Sequence, residues 1–210
     1  MESIRKLCGI ISKQFHDHHT HHTFTVAISG IDASGKGYLA KHLEDELKKQ
    51  GLIVANINVD PWQNPIAVRL QRENPAENFY HNVFRWNDIF YKLIIPLRKD
   101  GHIKTTCRLI HSHADVYFDH TFDYNKLDIL ILEGIFLFQE KFVPYYDFKV
   151  WVDCSFDVGL KRALKRNVEK LDEMQLRHDY ATYYYPAQRY HFEKDKPLLK
   201  ADYIYHSNEE

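Results

Sequence analysis

Gly30-Ile31-Asp32-Ala33-Ser34-Gly35-Lys36-Gly37 follows directly on the apolar run Phe24-Thr25-Val26-Ala27-Ile28. The order of residue types reads as strand, glycine loop, helix. A β-branched run comes first, and Leu39, Ala40, Leu43 and Leu47 recur at helical spacing until Gly51 ends the pattern. Gly30 and Gly35 can take backbone angles barred to other residues, which lets successive N–H groups converge on an anion. Lys36 adds a cation, and the helix that starts there turns its positive end to the same place. The stretch therefore reads as a phosphate cradle formed by Gly30, Asp32, Ala33, Ser34, Gly35, Lys36, Gly37 and Tyr38. One position departs from such cradles: where a Ser or Thr hydroxyl for magnesium is expected after the lysine, the chain has Gly37. The competing reading is an ordinary glycine turn, and the surroundings have to decide.

The 210 residues suffice for one domain with a full core. Lys plus Arg number 28 against 29 Asp plus Glu, which argues against a nucleic-acid partner or an acidic membrane bound through overall charge. Cys8, Cys107 and Cys154 are odd in number and far apart. They form neither a disulfide framework nor a zinc motif, so a reducing cytoplasm is expected. No apolar run approaches the roughly 18 residues that span a bilayer, and the N-terminus has no signal-peptide core.

Ile4, Leu7, Ile11 and Phe15 predict an amphipathic N-terminal helix. His16-Asp-His-His-Thr-His-His22 follows, either a solvated connector or a loose metal-binding tract. Residues 1–23 are thus an N-terminal helix and connector, and 24–210 a single domain. Leu52 to Val59 predicts a second buried strand, stopped by Asp60-Pro61. In open α/β sheets ligands gather at the carboxyl ends of strands, so Asp60 is expected beside the loop, although Asp before proline is also a common turn former. Phe79, Val83, Trp86, Phe90 and Ile94 predict one helix over 77–95. Alternation in Gly101 to Tyr124 predicts a small β-excursion, with His111, His113 and Asp115 on one face if extended, a candidate metal cluster or an exposed hairpin. Asn125-Lys-Leu-Asp128 copies a guanine-reading tetrapeptide but leads into a strand instead of following one, a coincidence. Leu127 to Leu132 predicts a buried strand ending in Glu133-Gly134, a place from which a carboxylate can hold magnesium. Asp147 to Val152 predicts a fourth strand. Phe156 to Leu171 predicts a helix with Arg162 and Arg166 on one face, either functional cations or a solvated stripe. A further helix from Asp172 is expected to break near Pro186, and Ala201 to Tyr205 to form the last strand. Strands alternating with helices predict a parallel sheet.

Gly30-Ile-Asp-Ala-Ser-Gly-Lys36, Val59-Asp60, Glu77-Asn-Phe-Tyr80, Leu130-Ile-Leu-Glu133-Gly134, Arg162-x-x-x-Arg166 and Tyr185-Pro-x-Gln188-Arg189-Tyr190 occur in the order seen in uridine kinase-like P-loop kinases. The resemblance covers most of Phe24 to Asn208. It implies the α/β P-loop NTPase fold, with five parallel strands flanked by helices and a helical lid over about 156–192. It also implies transfer of the γ-phosphoryl group of ATP or GTP, with Mg2+, to a hydroxyl of a small molecule, in the family usually a nucleoside. Carried over by position, Lys36 would contact the phosphates, Asp60 would accept the hydroxyl proton and touch the metal, and Glu133 would hold magnesium. Arg162 and Arg166 would neutralise the moving phosphoryl, while Tyr80, His113 and Arg189 would face the acceptor. Asn82 stands where relatives often carry an acid facing the acceptor, and Asn167 replaces a frequent aspartate. A homo-oligomer is compatible with the resemblance. Gly37 keeps a second reading in view: a nucleotide-binding sensor with little turnover.

Overall fold

The computed structural model describes residues 2–17, 22–111, 114–167 and 171–207. Among the described residues there are seven strands: β1 (Phe24–Gly30), β2 (Val54–Asn58), β3 (Ile103–His111), β4 (Val116–Tyr124), β5 (Ile129–Glu133), β6 (Phe148–Asp153) and β7 (Tyr203–His206). Five of them make one sheet in the order β2-β5-β1-β6-β7, every pair parallel. β3 and β4 form a separate antiparallel hairpin. The expected α/β fold with a small β-excursion is therefore present.

Both faces of the sheet are covered, which is why its strands read as continuous apolar runs. Successive side chains part company. Val26, Ile28, Ile129 and Ile131 pack under the N-terminal helix α1 (Glu2–Asp17) and the loop helix α2 (Lys36–Lys49). Ala27, Leu130 and Leu132 face the opposite layer, built from the helices around Phe79, Phe90 and Tyr180. Burying each Leu or Ile fully contributes about 1.5–3 kcal/mol, so a strand with two buried faces is strongly placed.

Two helical expectations need correction. The segment expected as one helix over 77–95 is broken: Pro75–Asn82 ends, and a second helical run starts at Trp86. Arg85 N donates to Trp62 O at 2.9 Å and Asn64 N to Val83 O at 2.8 Å, so the break is held by backbone bonds to the loop after β2. Pro186, expected as a breaker, is instead inside a continuous helical path. A π turn over Tyr180–Tyr184 precedes helix Tyr185–Asp195, in which Pro186 occupies the first turn. The same device, a π turn over Phe90–Ile94, comes before Pro96. Widening the turn relieves the clash and the missing N–H that a proline brings to an α-helix.

Candidate active site

Because β2, β5 and β1 are neighbours, their carboxyl ends bring Asp60, Glu133 and the glycine loop together. The register places Glu133 opposite Asn58 on one side and Ile28 on the other. Val59 N donates to Glu133 O at 3.0 Å and Gly134 N to Ile28 O at 3.2 Å, closing the sheet at this edge. Gly134 has to be glycine, since a Cβ there would lie 2.2 Å from Val59 Cγ2.

In the loop, Gly35 is left-handed (φ 99°), and so is Ala33 (φ 56°) rather than Gly30. Lys36 is 8% exposed and donates from Nζ to Ile31 O at 2.8 Å. The Asp32 carboxylate accepts the Tyr180 hydroxyl, and Asp32 N–H donates to Gln188 Oε1 at 3.0 Å. Asp60 opens a tight turn, Asp60–Trp62, with its N–H held by Asn58 Oδ1 at 2.6 Å.

A cleft of about 600 Å³ opens here. Asp32, Lys36, Asp60 and Arg166 line its loop end, and Phe79, Ile66 and Tyr184 are among the residues of its apolar wall. The β3–β4 hairpin braces that wall: Asp115 accepts Ile66 N–H at 2.9 Å, and Phe122 stacks on Trp62 at 5.4 Å. Asp60 is open to the cleft yet ringed by protein, and burial followed by the charge of Asp32 raises its carboxyl, against the pull of Lys36 and Arg166. Glu133 is 5% exposed, and burial followed by Asp60 raises it to about 7. Asn58, which sequence reasoning missed, accepts the Asp60 N–H, and its side chain favours the ionised form of both carboxylates, moderating both shifts.

A site holding this much negative charge can take a cation. Among the described residues no three or more His, Cys, Asp or Glu side chains are grouped to hold a metal alone. Magnesium does not need such a group, because it takes one or two carboxylates and completes its shell with water and phosphate oxygens. Glu133 and Asp60 fit that donor set. A side chain starting at Gly37 would place its Cβ 3.5 Å from Glu133 Oε1, so the missing hydroxyl would have fallen beside the same carboxylate.

Other expected site residues are placed differently. Arg162 does not line the cleft; Nη1 donates to Ser34 O at 3.2 Å and Ser207 Oγ at 2.8 Å, bracing the loop from outside. Tyr80 is 2% exposed and turned away from the cleft, its hydroxyl donating to Asp195. Its neighbour Phe79 takes the cleft position. Arg189 is exposed and lies over the Phe156 ring at 4.8 Å, outside the cleft lining. Asn82 also lies outside the cleft, its Nδ2 donating to Asn78 Oδ1 at 2.8 Å. His113 lies outside the described residues, as do His18, His19 and His21. Asp115 serves the backbone of Ile66, and His111 stacks on Phe118 at 4.3 Å, so neither stands in a described metal cluster. Sequence reasoning chose Arg189 and passed over Gln188. Helical spacing held the signal, because Tyr184 and Gln188, four apart, share a face, and both line the cleft.

The sequence matches the model of the phosphoribulokinase / uridine kinase family over residues 25–171. It is 26% identical to the uridine kinase of Proteus mirabilis, across 71% of each chain. It is 32% identical to uridine-cytidine kinase A of Dictyostelium discoideum, across 77% of this chain and 32% of that protein. In fold it resembles a possible uridine kinase from Bacillus stearothermophilus, with a TM-score of 0.76, 22% identity and 97% of both chains covered. No described helix is long and apolar enough to cross a membrane.

Proposed function

Because the chain belongs to the phosphoribulokinase / uridine kinase family, we propose that it transfers the γ-phosphoryl group of ATP or GTP to a hydroxyl of a small molecule, a nucleoside first among candidates. The observation that carries this reading is the convergence of Lys36, Asp60 and Arg166 on one cleft with an apolar far wall. Phosphoryl transfer asks for little covalent chemistry from the protein; it asks for positioning and charge stabilisation. Asp60 supplies a carboxylate whose raised pKa suits it to take the proton of the attacking hydroxyl. Lys36 leaves Ile31 O to meet the phosphates, and Arg166 offsets charge on the group in flight. Glu133 and Asp60 would hold magnesium together with the nucleotide, and the metal would supply neutralisation of the phosphate oxygens. Phe79 and Tyr184 exclude water and offer flat faces to an acceptor ring.

The test is product formation from Mg·ATP and Mg·GTP with a panel of nucleosides, sugars and small hydroxy acids. Asp60→Asn should lower turnover by about 10²–10⁴ while the variant still binds nucleotide in the absence of magnesium. Nucleotide binding without product across the panel would favour the second reading, a sensor with little turnover, for which Gly37 is the specific motive.

A further inference from the structure

The peptide unit between Ile31 and Asp32 is gripped from both sides. Ile31 O accepts the Lys36 ammonium at 2.8 Å, and the N–H of the same unit, Asp32 N–H, donates to Gln188 Oε1 at 3.0 Å. That second bond fixes the Gln188 amide: only its oxygen can receive an N–H, so its NH₂ group must point the other way. Gln188 is 2% exposed, and its Nε2 has no hydrogen-bond partner among the described residues. A buried donor left unmet destabilises the fold unless something else accepts from it. The residue belongs to the cleft wall, together with Asp32, Lys36 and Arg166.

We propose that Gln188 Nε2 is a donor to the terminal phosphoryl group of the bound nucleotide; this rests on the kinase reading above. Phosphoryl oxygens only accept hydrogen bonds, and a carboxamide NH₂ only donates them. The loop end of the cleft holds two carboxylates, Asp32 and Asp60, which repel such a group, beside two cations. Gln188 adds donors there without adding charge, and the helix that carries it also holds the loop backbone. The reacting hydroxyl calls for the opposite chemistry, an acceptor, which Asp60 supplies. The same stretch places Tyr180 on the Asp32 carboxylate, so a phosphoryl drawn to Gln188 meets a loop whose backbone and side chain are already held.

Two substitutions separate this role from a structural one. Gln188→Glu keeps an oxygen for Asp32 N–H and replaces the NH₂ with a second oxygen that repels phosphoryl. Gln188→Met, uncharged and of similar length, removes both contacts. Calorimetric titration of wild type and both variants with Mg·ATP and with Mg·ADP reads the ATP-to-ADP affinity ratio, which loop packing alone does not set. The ratio should fall at least about tenfold in Gln188→Glu and by a smaller factor in Gln188→Met. Should Gln188→Glu not fold, the ratio in Gln188→Met decides. Wild-type binding of both nucleotides with an unchanged ratio in the folded variants would overturn this inference alone. A wild-type chain that binds neither nucleotide would overturn the kinase reading beneath it.

Discussion

Gly37 and Glu133 touch where the loop helix starts, and the contact says what a side chain at 37 would do. A Cβ would sit 3.5 Å from Glu133 Oε1, an ordinary van der Waals separation, so Gly37→Ser fits without rearrangement and brings a hydroxyl to the carboxylate. If the chain is a kinase held back by that missing ligand, Gly37→Ser should raise turnover by about one to two decades, the worth of ~1–3 kcal/mol of metal positioning. Steady-state rates at several magnesium concentrations check this, and an unchanged rate would show that water fills the place fully. Glu133 also makes stability depend on pH. Its folded value, about 7, lies above the ordinary 4.5, because burial and then the Asp60 charge oppose ionisation. The folded chain thus holds a proton that the unfolded chain has lost. Its contribution is fully present below about pH 4.5 and disappears as pH rises through about 7. Without metal or nucleotide, wild type should lose melting temperature across that window relative to Glu133→Gln, which does not titrate. Parallel melting curves for the two proteins would assign the charge strain elsewhere.

At the scale of elements, what could be read from the chain was what is local. Phe79, Val83, Trp86, Phe90 and Ile94 repeat at helical spacing, and all are buried, yet the helix is interrupted between Val83 and Trp86. The interruption comes from backbone bonds to Trp62 and Asn64, some twenty residues earlier, which no periodicity contains. A proline ends an α-helix, so Pro186 by itself predicts a stop; a π turn ahead of it is a tertiary solution, sustained by the packing of Tyr180, Tyr183 and Tyr184. The strand ends were legible, and the motif Glu133-Gly134 carries a packing reason for its glycine. Gly134→Ala would drive a Cβ into the stiff Val59 side chain, next to Asp60, and should cost about 1–3 kcal/mol. Adding Val59→Ala removes the obstructing methyl groups. The double variant should therefore fall short of the sum of the two single losses, measured by urea denaturation. Strict additivity would mean that the edge yields elsewhere.

Over the whole molecule, the alternation of strands and helices was enough to give a parallel α/β sheet, but not the ion pair that closes its far end. Arg98 and Asp147 stand 49 positions apart and carry no motif between them. Arg98 grips Asp147 through both Nη atoms, one bond at 2.8 Å, and Asp147 Oδ2 also accepts Thr25 N–H at 2.7 Å. Backbone bonds run alongside, Thr23 N to Arg98 O and Asp147 N to Thr25 O, so the helix Ile95–Asp100 is stitched to the starts of β1 and β6. Burial works to raise the Asp147 carboxyl, but Arg98 and the Thr25 N–H outweigh it and hold it below the ordinary 3.8. That depressed value contributes stability above the ordinary range, lost as pH falls through the folded value. Arg98→Leu strips away the main opponent of burial and leaves a carboxylate with 8% of its side chain exposed. The cost near neutral pH should be about 3 kcal/mol, the scale of breaking one partner from a buried pair. In the variant the Thr25 N–H and His22, whose Nε2 lies 3.2 Å from Asp147 Oδ1, still favour the carboxylate but less than Arg98 did, so acid takes less stability from the variant than from wild type. The gap between the two proteins should accordingly narrow in urea unfolding as pH falls below about 4, where wild type loses the contribution of its depressed carboxylate. A constant gap would mean that Arg98 acts through its backbone and packing, and that the paired charges do not secure this end of the sheet.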